Sequence, residues 1–189
     1  MIVLVVPAVV LGLVVLTAVV SYNRFVDERQ TITNSWSNVD TELQRRHDLI
    51  GNLVETVRGY AAHERSTLEA VLQARAEAVR VRGTDVAAAA QATVENQIAA
   101  GLRRVLALSE AYPDLQASRH FLELQHALAT AENRIQAARR VYNGNVREYN
   151  RRVESIPSNV VAALGRFVRI EYFELDPLTR AAGAPTVHI

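Results

Sequence analysis

The apolar positions of this chain form one unbroken run followed by periodic stripes. From Ile2 to Val20 no side chain is charged, over the 19 residues IVLVVPAVVLGLVVLTAVV. As a helix this run is about 28 Å long, close to the hydrocarbon thickness of a bilayer. Pro7 and Gly12 are costly in an exposed soluble helix but tolerated in a membrane helix. Tyr22 and Arg24 follow as an interfacial aromatic and a snorkelling cation would. A cleaved signal peptide is the competing reading. No Lys or Arg precedes the run, it exceeds the usual signal core, and Val19-Val20-Ser21 is a poor match to A-x-A. The pattern predicts a transmembrane anchor over residues 2–21.

After the anchor, apolar residues recur every three or four positions and period-two alternation is missing, which predicts helix nearly throughout. One stripe holds Phe25, Ile32, Trp36, Val39 and Leu43, and a second Leu53, Val57, Tyr60, Leu68, Val71 and Ala74. A third runs from Thr84 to Tyr112 through Val86, Ala90, Val94, Ile98, Leu102, Val105 and Leu108. The fourth and longest contains Leu124, Leu128, Ala131, Ile135, Ala138, Tyr142, Val146, Tyr149 and Val153. Gly83-Thr84-Asp85 reads as a helix stop and a new N-cap. Tyr112-Pro113-Asp114 marks another break, because Pro disfavours helix at the residue before it. Near residue 50 two signals compete. Gly51 followed by Asn52-x-x-Glu55 resembles a stop and a capping box, whereas the stripe from Trp36 through Ile50 to Val57 keeps its phase. Helices of matched length bury one another more easily, so a break at Gly51 is expected.

These elements predict an all-α fold: an N-terminal transmembrane helix, then an antiparallel four-helix bundle over residues 22–175 with a short C-terminal helix. Ser158 or Asn159 would cap that helix over residues 160–166. Alanines 87–90, 99 and 100 would let helices approach closely, and Phe167, Ile170, Tyr172 and Phe173 would fold back over the bundle end or dock on a second subunit or the bilayer interface. Residues 176–189, rich in Pro, Gly, Ala and Thr, read as a disordered tail.

Composition removes several chemistries. Among 189 residues there are 21 basic and 20 acidic side chains, for a net charge of +1; every basic residue is Arg, and Cys and Lys are absent. Disulfides, thiolate metal sites, cysteine nucleophiles, a lysine Schiff base and a P-loop are thereby excluded. Orientation follows the basic residues: Arg24 and Arg29 stand behind the anchor and only the terminal amine in front, which favours a cytoplasmic soluble domain.

Several segments match a known pattern. Tyr22-Asn23-Arg24-Phe25-Val26, Ser35-Trp36-Ser37-Asn38-Val39-Asp40 and Leu43-Gln44-Arg45-Arg46-His47-Asp48-Leu49-Ile50 resemble the opening of the LemA family. The likeness continues through Asn52-Leu53-Val54-Glu55-Thr56-Val57-Arg58-Gly59-Tyr60, His63-Glu64 and Ala74-Arg75. Tyr142-Asn143, Tyr149-Asn150, Ile156-Pro157-Ser158-Asn159 and Tyr172-Phe173-Glu174 extend it to the C-terminal half. One departure is Gly51, where the family usually has Pro. The resemblance implies a single-pass bacterial membrane protein with a helical-bundle domain, and it implies no reaction.

Candidate chemistry is sparse. Glu123-x-x-His126 has di-iron spacing, but such sites need two copies of the motif, and no other histidine has a Glu three residues before it. His63-Glu64 would open a zinc-protease motif, but Thr67 stands at the second ligand position. No catalytic residue, metal ligand or cofactor is therefore expected. The pairs Arg45-Arg46, Arg103-Arg104, Arg139-Arg140 and Arg151-Arg152 are interspersed with acids and read as solvated helix faces, not as a nucleic-acid footprint. Tyr142-Asn143 and Tyr149-Asn150 share a helix face, and Tyr22-Asn23 would meet them near the membrane, where the groups could hydrogen-bond together. With Tyr172 and Phe173 they are the candidate interaction and register residues, and Trp36 is expected in the core. The expected function is a membrane-anchored structural or interaction protein of the bacterial envelope without catalysis of its own, self-associating or binding an envelope protein partner through its exposed faces. The alternatives are an accessory or signalling protein that regulates an envelope enzyme or protease, and a metalloenzyme or hydrolase with its site inside the bundle.

Overall fold

In the computed structural model, residues 2–61, 63–82 and 88–175 are described, and among them every regular element is a helix. In chain order these are α1 (Ile2–Arg58), α2 (Arg65–Arg82), α3 (Ala88–Ser109), α4 (Pro113–Gln116), α5 (Arg119–Glu154) and α6 (Ser158–Leu164). An extended strap from Phe167 to Leu175 follows. The tail over 176–189 and the Gly83-Thr84-Asp85 break lie outside the described residues.

The expected break at Gly51 is absent. Helix α1 runs for 57 residues without interruption, about 85 Å at 1.5 Å per residue. A helical glycine costs roughly 1 kcal/mol relative to alanine. Ile50, Leu53, Val54 and Val57 around it are fully buried, each contributing about 1.5–3 kcal/mol, so burial outweighs the local signal. A Cβ at Gly51 would meet the Arg75 guanidinium of α2 at 3.8 Å, and Arg75 Nε donates to the His47 carbonyl at 2.6 Å. The helix ends instead at Gly59-Tyr60-Ala61, where the amides of Tyr60 and Ala61 both turn back to the Val57 carbonyl. Leu53 and Val57 consequently belong to α1 and not to the second helix.

One continuous rod therefore carries two surfaces. From Val6 to Val20 its apolar side chains stand exposed, Leu11 at 65 % and Leu16 at 60 %. This is the one described helix long and apolar enough to cross a membrane. Its single hydroxyl, on Thr17, is satisfied by the carbonyls of Leu13 and Val14 at 2.9 and 2.8 Å, as a helix in lipid requires. From Phe25 onward one face is buried in two interleaved heptads: Phe25, Ile32, Val39 and Leu53, and Leu43, Ile50 and Val57.

Contacts between α1 and α5 pair rising numbers with falling ones. Phe25 meets Tyr149, Trp36 meets Tyr142, and Arg46 meets Glu132. Helices α2 and α3 approach at Gly101, where a Cβ would come within 2.8 Å of the buried Val71 Cγ2. The predicted break at Pro113 is present, with Pro113 opening the single turn of α4. The predicted capping of the last helix is not. Pro157 occupies the N-cap position without a side-chain bond, and the Ser158 hydroxyl instead donates to the carbonyls of Arg152 and Ser155.

The core is split in two. One apolar cluster gathers Ile50, Leu53, Val57, Ile98, Val105 and Leu124. The other gathers Phe25, Val39, Leu43, Ile135, Tyr149 and Phe173. On α1 the residues between them are Arg46 and His47, on α5 Glu132.

Candidate functional site

Between the two apolar clusters lies a charged layer. Arg46 and His47 of α1 and Gln91 and Glu95 of α3 are all buried. Arg46 Nη2 donates to Glu95 Oε2, and its Nη1 donates to Glu132 Oε2 at 2.8 Å. His47 Nε2 lies 3.0 Å from Glu95 Oε1, which also accepts from Gln91 Nε2 at 2.7 Å. Gln136 Nε2 holds the other Glu132 oxygen at 2.7 Å. Burial alone would push the Glu95 carboxyl up, but the His47 hydrogen bond and the Arg46 charge outweigh it and hold the group below the usual carboxylate range. Glu95 is thus an anion, so His47 donates from Nε2. Arg46 Nε and His47 Nδ1 have no hydrogen-bond partner among the described residues.

The layer corrects the reading of Arg45-Arg46 as a solvated pair. Arg45 does lie on the outer face, but Arg46 is 2 % exposed. A signal for this exists in the heptad: Arg46 follows Phe25, Ile32 and Val39 at intervals of seven and precedes Leu53. Gln91 and Glu95 likewise stand seven residues before Ile98 and Leu102. Chemically, the layer ties α1, α3 and α5 together through the pairs of Arg46 with Glu95 and Glu132. Among the described residues its histidine and central carboxylate are fully buried, and Glu132 is its partly exposed edge.

The second arrangement is the strap. Gly165 ends α6, and a Cβ there would sit 2.5 Å from the Phe167 ring. Arg166 takes a left-handed φ of 56° and turns the chain back along α5. Asn150 then grips Ile170 twice: its Nδ2 donates to the Ile170 carbonyl at 2.8 Å, and the Ile170 amide donates to its Oδ1 at 2.9 Å. Asn143 does the same to Phe173 at 3.0 and 2.9 Å. The seven-residue spacing of the asparagines puts both amides on one face of α5, and three residues of extended chain bridge them. Tyr142 donates to the Glu171 carbonyl at 3.1 Å, and burial pushes its hydroxyl up to about 12. Burial also raises Tyr149.

The candidate residues divide accordingly. Tyr142, Asn143, Asn150 and Phe173 meet under the strap, and the half-buried Trp36 packs against the Tyr142 and Phe173 rings at 5.1 and 5.3 Å. Tyr149 packs edge-on against Phe25 at 5.9 Å. The expected hydrogen-bonded meeting of Tyr22-Asn23 with the other Tyr-Asn groups is replaced by a different contact: Tyr22 meets the Phe167 ring at 5.3 Å, Asn23 is exposed, and the asparagine amides of α5 are committed to strap backbone. Tyr172 is half-buried beside an open groove lined also by the exposed Arg140 and Arg147 and the half-buried Arg139 of α5. Elsewhere, Glu123 pairs with Arg119 at 2.8 Å on the exposed face of α5, and among the described residues no group of three His, Asp or Glu is placed to hold a metal.

Comparison with known proteins shows what the chain is similar to. The chain is 28 % identical over 183 residues to Magnetosome protein MamQ 2 of Paramagnetospirillum magneticum, an alignment that covers 85 % of this chain and 67 % of that protein. It is 26 % identical, with the same coverage, to Magnetosome protein MamQ of Magnetospirillum gryphiswaldense. It is also 24 % identical to Protein LemA of Metamycoplasma hominis, over 84 % of this chain and 71 % of that one. None of these names indicates a catalytic family. The sequence profile of the LemA family matches residues 35–188, and with the long α1 rod and the paired helices behind it, this chain belongs to the LemA family.

Proposed function

We propose that this protein is a single-pass membrane-anchored, antiparallel four-helix bundle that serves as a structural and self-associating interaction module of the bacterial envelope, without catalysis of its own. One observation carries the reading. The exposed apolar helix of residues 6–20 continues without a break into the helix that forms the bundle core. Anchor and bundle are therefore joined by one continuous helix, and the bundle is held at a set distance from the bilayer. The opposed numbering of the α1–α5 contacts supports the antiparallel arrangement, and the likeness to the magnetosome and LemA proteins supports a membrane-linked role. The burial of the charged layer supports a scaffolding use of its His and Glu. Arg24 and Arg29 favour the cytoplasmic side for the bundle. Tyr172 and the groove beside it supply an exposed surface for a partner or a second copy.

The test is a mass measurement of the intact complex extracted from membranes. A ladder or a single mass at multiples of the chain supports self-association. A one-to-one mass with an envelope enzyme supports the regulatory alternative instead, and a strict monomer overturns the self-associating module.

A further inference from the structure

The end of α5 carries an apolar patch that the bundle does not use. Ile156 is 85 % exposed, Val160 59 %, Leu164 82 % and Val168 72 %. They recur every four residues through α6 and its flanks. The opposite side of α6 is satisfied: Ala162 is buried with Phe25 and Phe167, and Phe167 stacks on Phe25 at 4.8 Å. Exposed apolar side chains of this size gathered in one short segment mark an interaction surface.

The position of the patch says what covers it. Tyr142 of α5 is level with Trp36 of α1. Stepping residue for residue along both helices from that pair brings Glu154, the last residue of α5, level with Arg24, and Ile156 follows two residues further on. The Phe167 ring touches both Tyr22 and Phe25, which places the far end of α6 at the same height. The apolar run ends at Val20, only about 3 Å below Tyr22 along the helix axis. The exposed Val19 lies about 60° from Tyr22 around the helix, on the side that meets Phe167. Arg24 and Arg166 are exposed at this height, where long cations reach headgroups. Arg24 pairs with Glu28 and Arg169 with Glu154, so the surface is apolar in character and not a cationic one.

We infer that Ile156, Val160, Leu164 and Val168 are a second bilayer contact, inserted at the boundary between headgroups and acyl chains beside the spanning helix. This rests on the reading that residues 6–20 cross the bilayer. The patch then removes the freedom of the bundle to rotate about the anchor axis, because one side of the rod is held down against lipid. The strap begins at this contact and runs away from it to Asn143, so the interface anchors the start of the strap as well.

The absence of cysteine in the parent chain makes single labels unambiguous. An environment-sensitive fluorophore is attached at Leu164→Cys, at Ile156→Cys, at Val14→Cys within the apolar run and at Glu69→Cys beside Arg58 at the far end. The full chain is reconstituted into phosphatidylcholine vesicles that carry a nitroxide either near the headgroup or at the acyl chain end. The expected result is that labels at 164 and 156 shift to the blue and lose most of their emission to the shallow nitroxide, the label at 14 loses its emission to the deep one, and the label at 69 responds to neither. A quenched label at 14 with unquenched labels at 156 and 164 overturns the inference and leaves the anchor standing. An unquenched label at 14 overturns the anchor reading itself. Labels at 156 and 164 that are shielded from aqueous iodide yet untouched by lipid nitroxide also overturn it, since protein would then cover the patch. Two patch positions guard against one label disturbing α6.

Discussion

Replacing Arg46 by Met tests whether the charged layer fixes the fold. The substitution keeps a long apolar stem in the heptad position and removes both ion pairs. Its two carboxylate partners differ in exposure. Glu132 has a side chain that is 37 % exposed and keeps its bond to Gln136, so losing Arg46 costs it at most about 1 kcal/mol. Glu95 is fully buried, and its Oε2 loses its donor while Oε1 keeps His47 and Gln91. Removing one partner of a buried pair costs roughly 3–5 kcal/mol. In a domain of this size that lowers the thermal midpoint by roughly 6–20 °C. Circular dichroism of the full chain in detergent micelles reads this directly, with Glu132→Gln as the mild comparison.

The pH dependence sharpens the test. In the parent Glu95 is held below its usual range, so its contribution is present above the unfolded carboxylate pKa and is lost as pH falls through the lowered native value. In the Arg46→Met variant the Arg46 charge and hydrogen bond no longer offset burial, so the native pKa rises above the parent's and protonation relieves more of the buried charge. The gap in stability between parent and variant therefore narrows as pH falls through the variant's native value toward the parent's. Adding Glu95→Leu to Arg46→Met removes the stranded charge but leaves His47 Nε2 and Gln91 Nε2 without their acceptor, so it recovers only part of the loss. A variant as stable as the parent, an equal loss in Glu132→Gln, or a gap that widens in acid would refute this account of the layer.

Other consequences follow from single contacts. Asn143→Ala exposes the Phe173 amide and Asn150→Ala the Ile170 amide to hydrogen exchange, each leaving the other site protected in its own half of the strap and each costing about 1–3 kcal/mol; simultaneous loss of protection at both sites in either variant would contradict independent clamps. Gly144→Ala, with open space at its Cβ, stabilises α5 by about 1 kcal/mol. Gly101→Ala gains the same propensity but must displace the stiff, buried Val71, so overpacking of about 1–3 kcal/mol cancels or reverses the gain; thermal midpoints of the two variants rank them. Ultraviolet titration in alkali shows a phenol that ionises near 12 and disappears in Tyr142→Phe. Its raised value means that the stability it contributes is lost as pH climbs from its ordinary 10 toward 12.

The particular residues show which signals reach the surface of a sequence. The apolar run, the stripes of α3 and α5 and the break at Pro113 depend on composition and spacing within one segment, and the structure has them where the pattern puts them. The spacing of Asn143 and Asn150 likewise implied a shared face, but not that the face would hold extended chain, because the partner lies 20 to 30 residues away. Gly51 misled because helix signals count local cost, and the burial that overrides it comes from helices distant in sequence. Arg46 misled in the opposite way. Its neighbour Arg45 made a dipeptide that looks solvated, although the heptad from Phe25 to Leu53 already placed it inward.

The sequence by itself determined that this protein is helical, that its first 20 residues suit a bilayer, and that cysteine and lysine chemistry play no part in it. Periodicity and residue type carry those facts, and neither depends on what packs against what. Only the tertiary structure decided that anchor and core share one rod, that Arg46, His47 and Glu95 meet in the interior, and that the strap returns to leave α6 with an apolar face beside the end of the spanning run. Each of these depends on long-range burial or on the matching of charge between separate helices, and that energy exists only once the chain has folded.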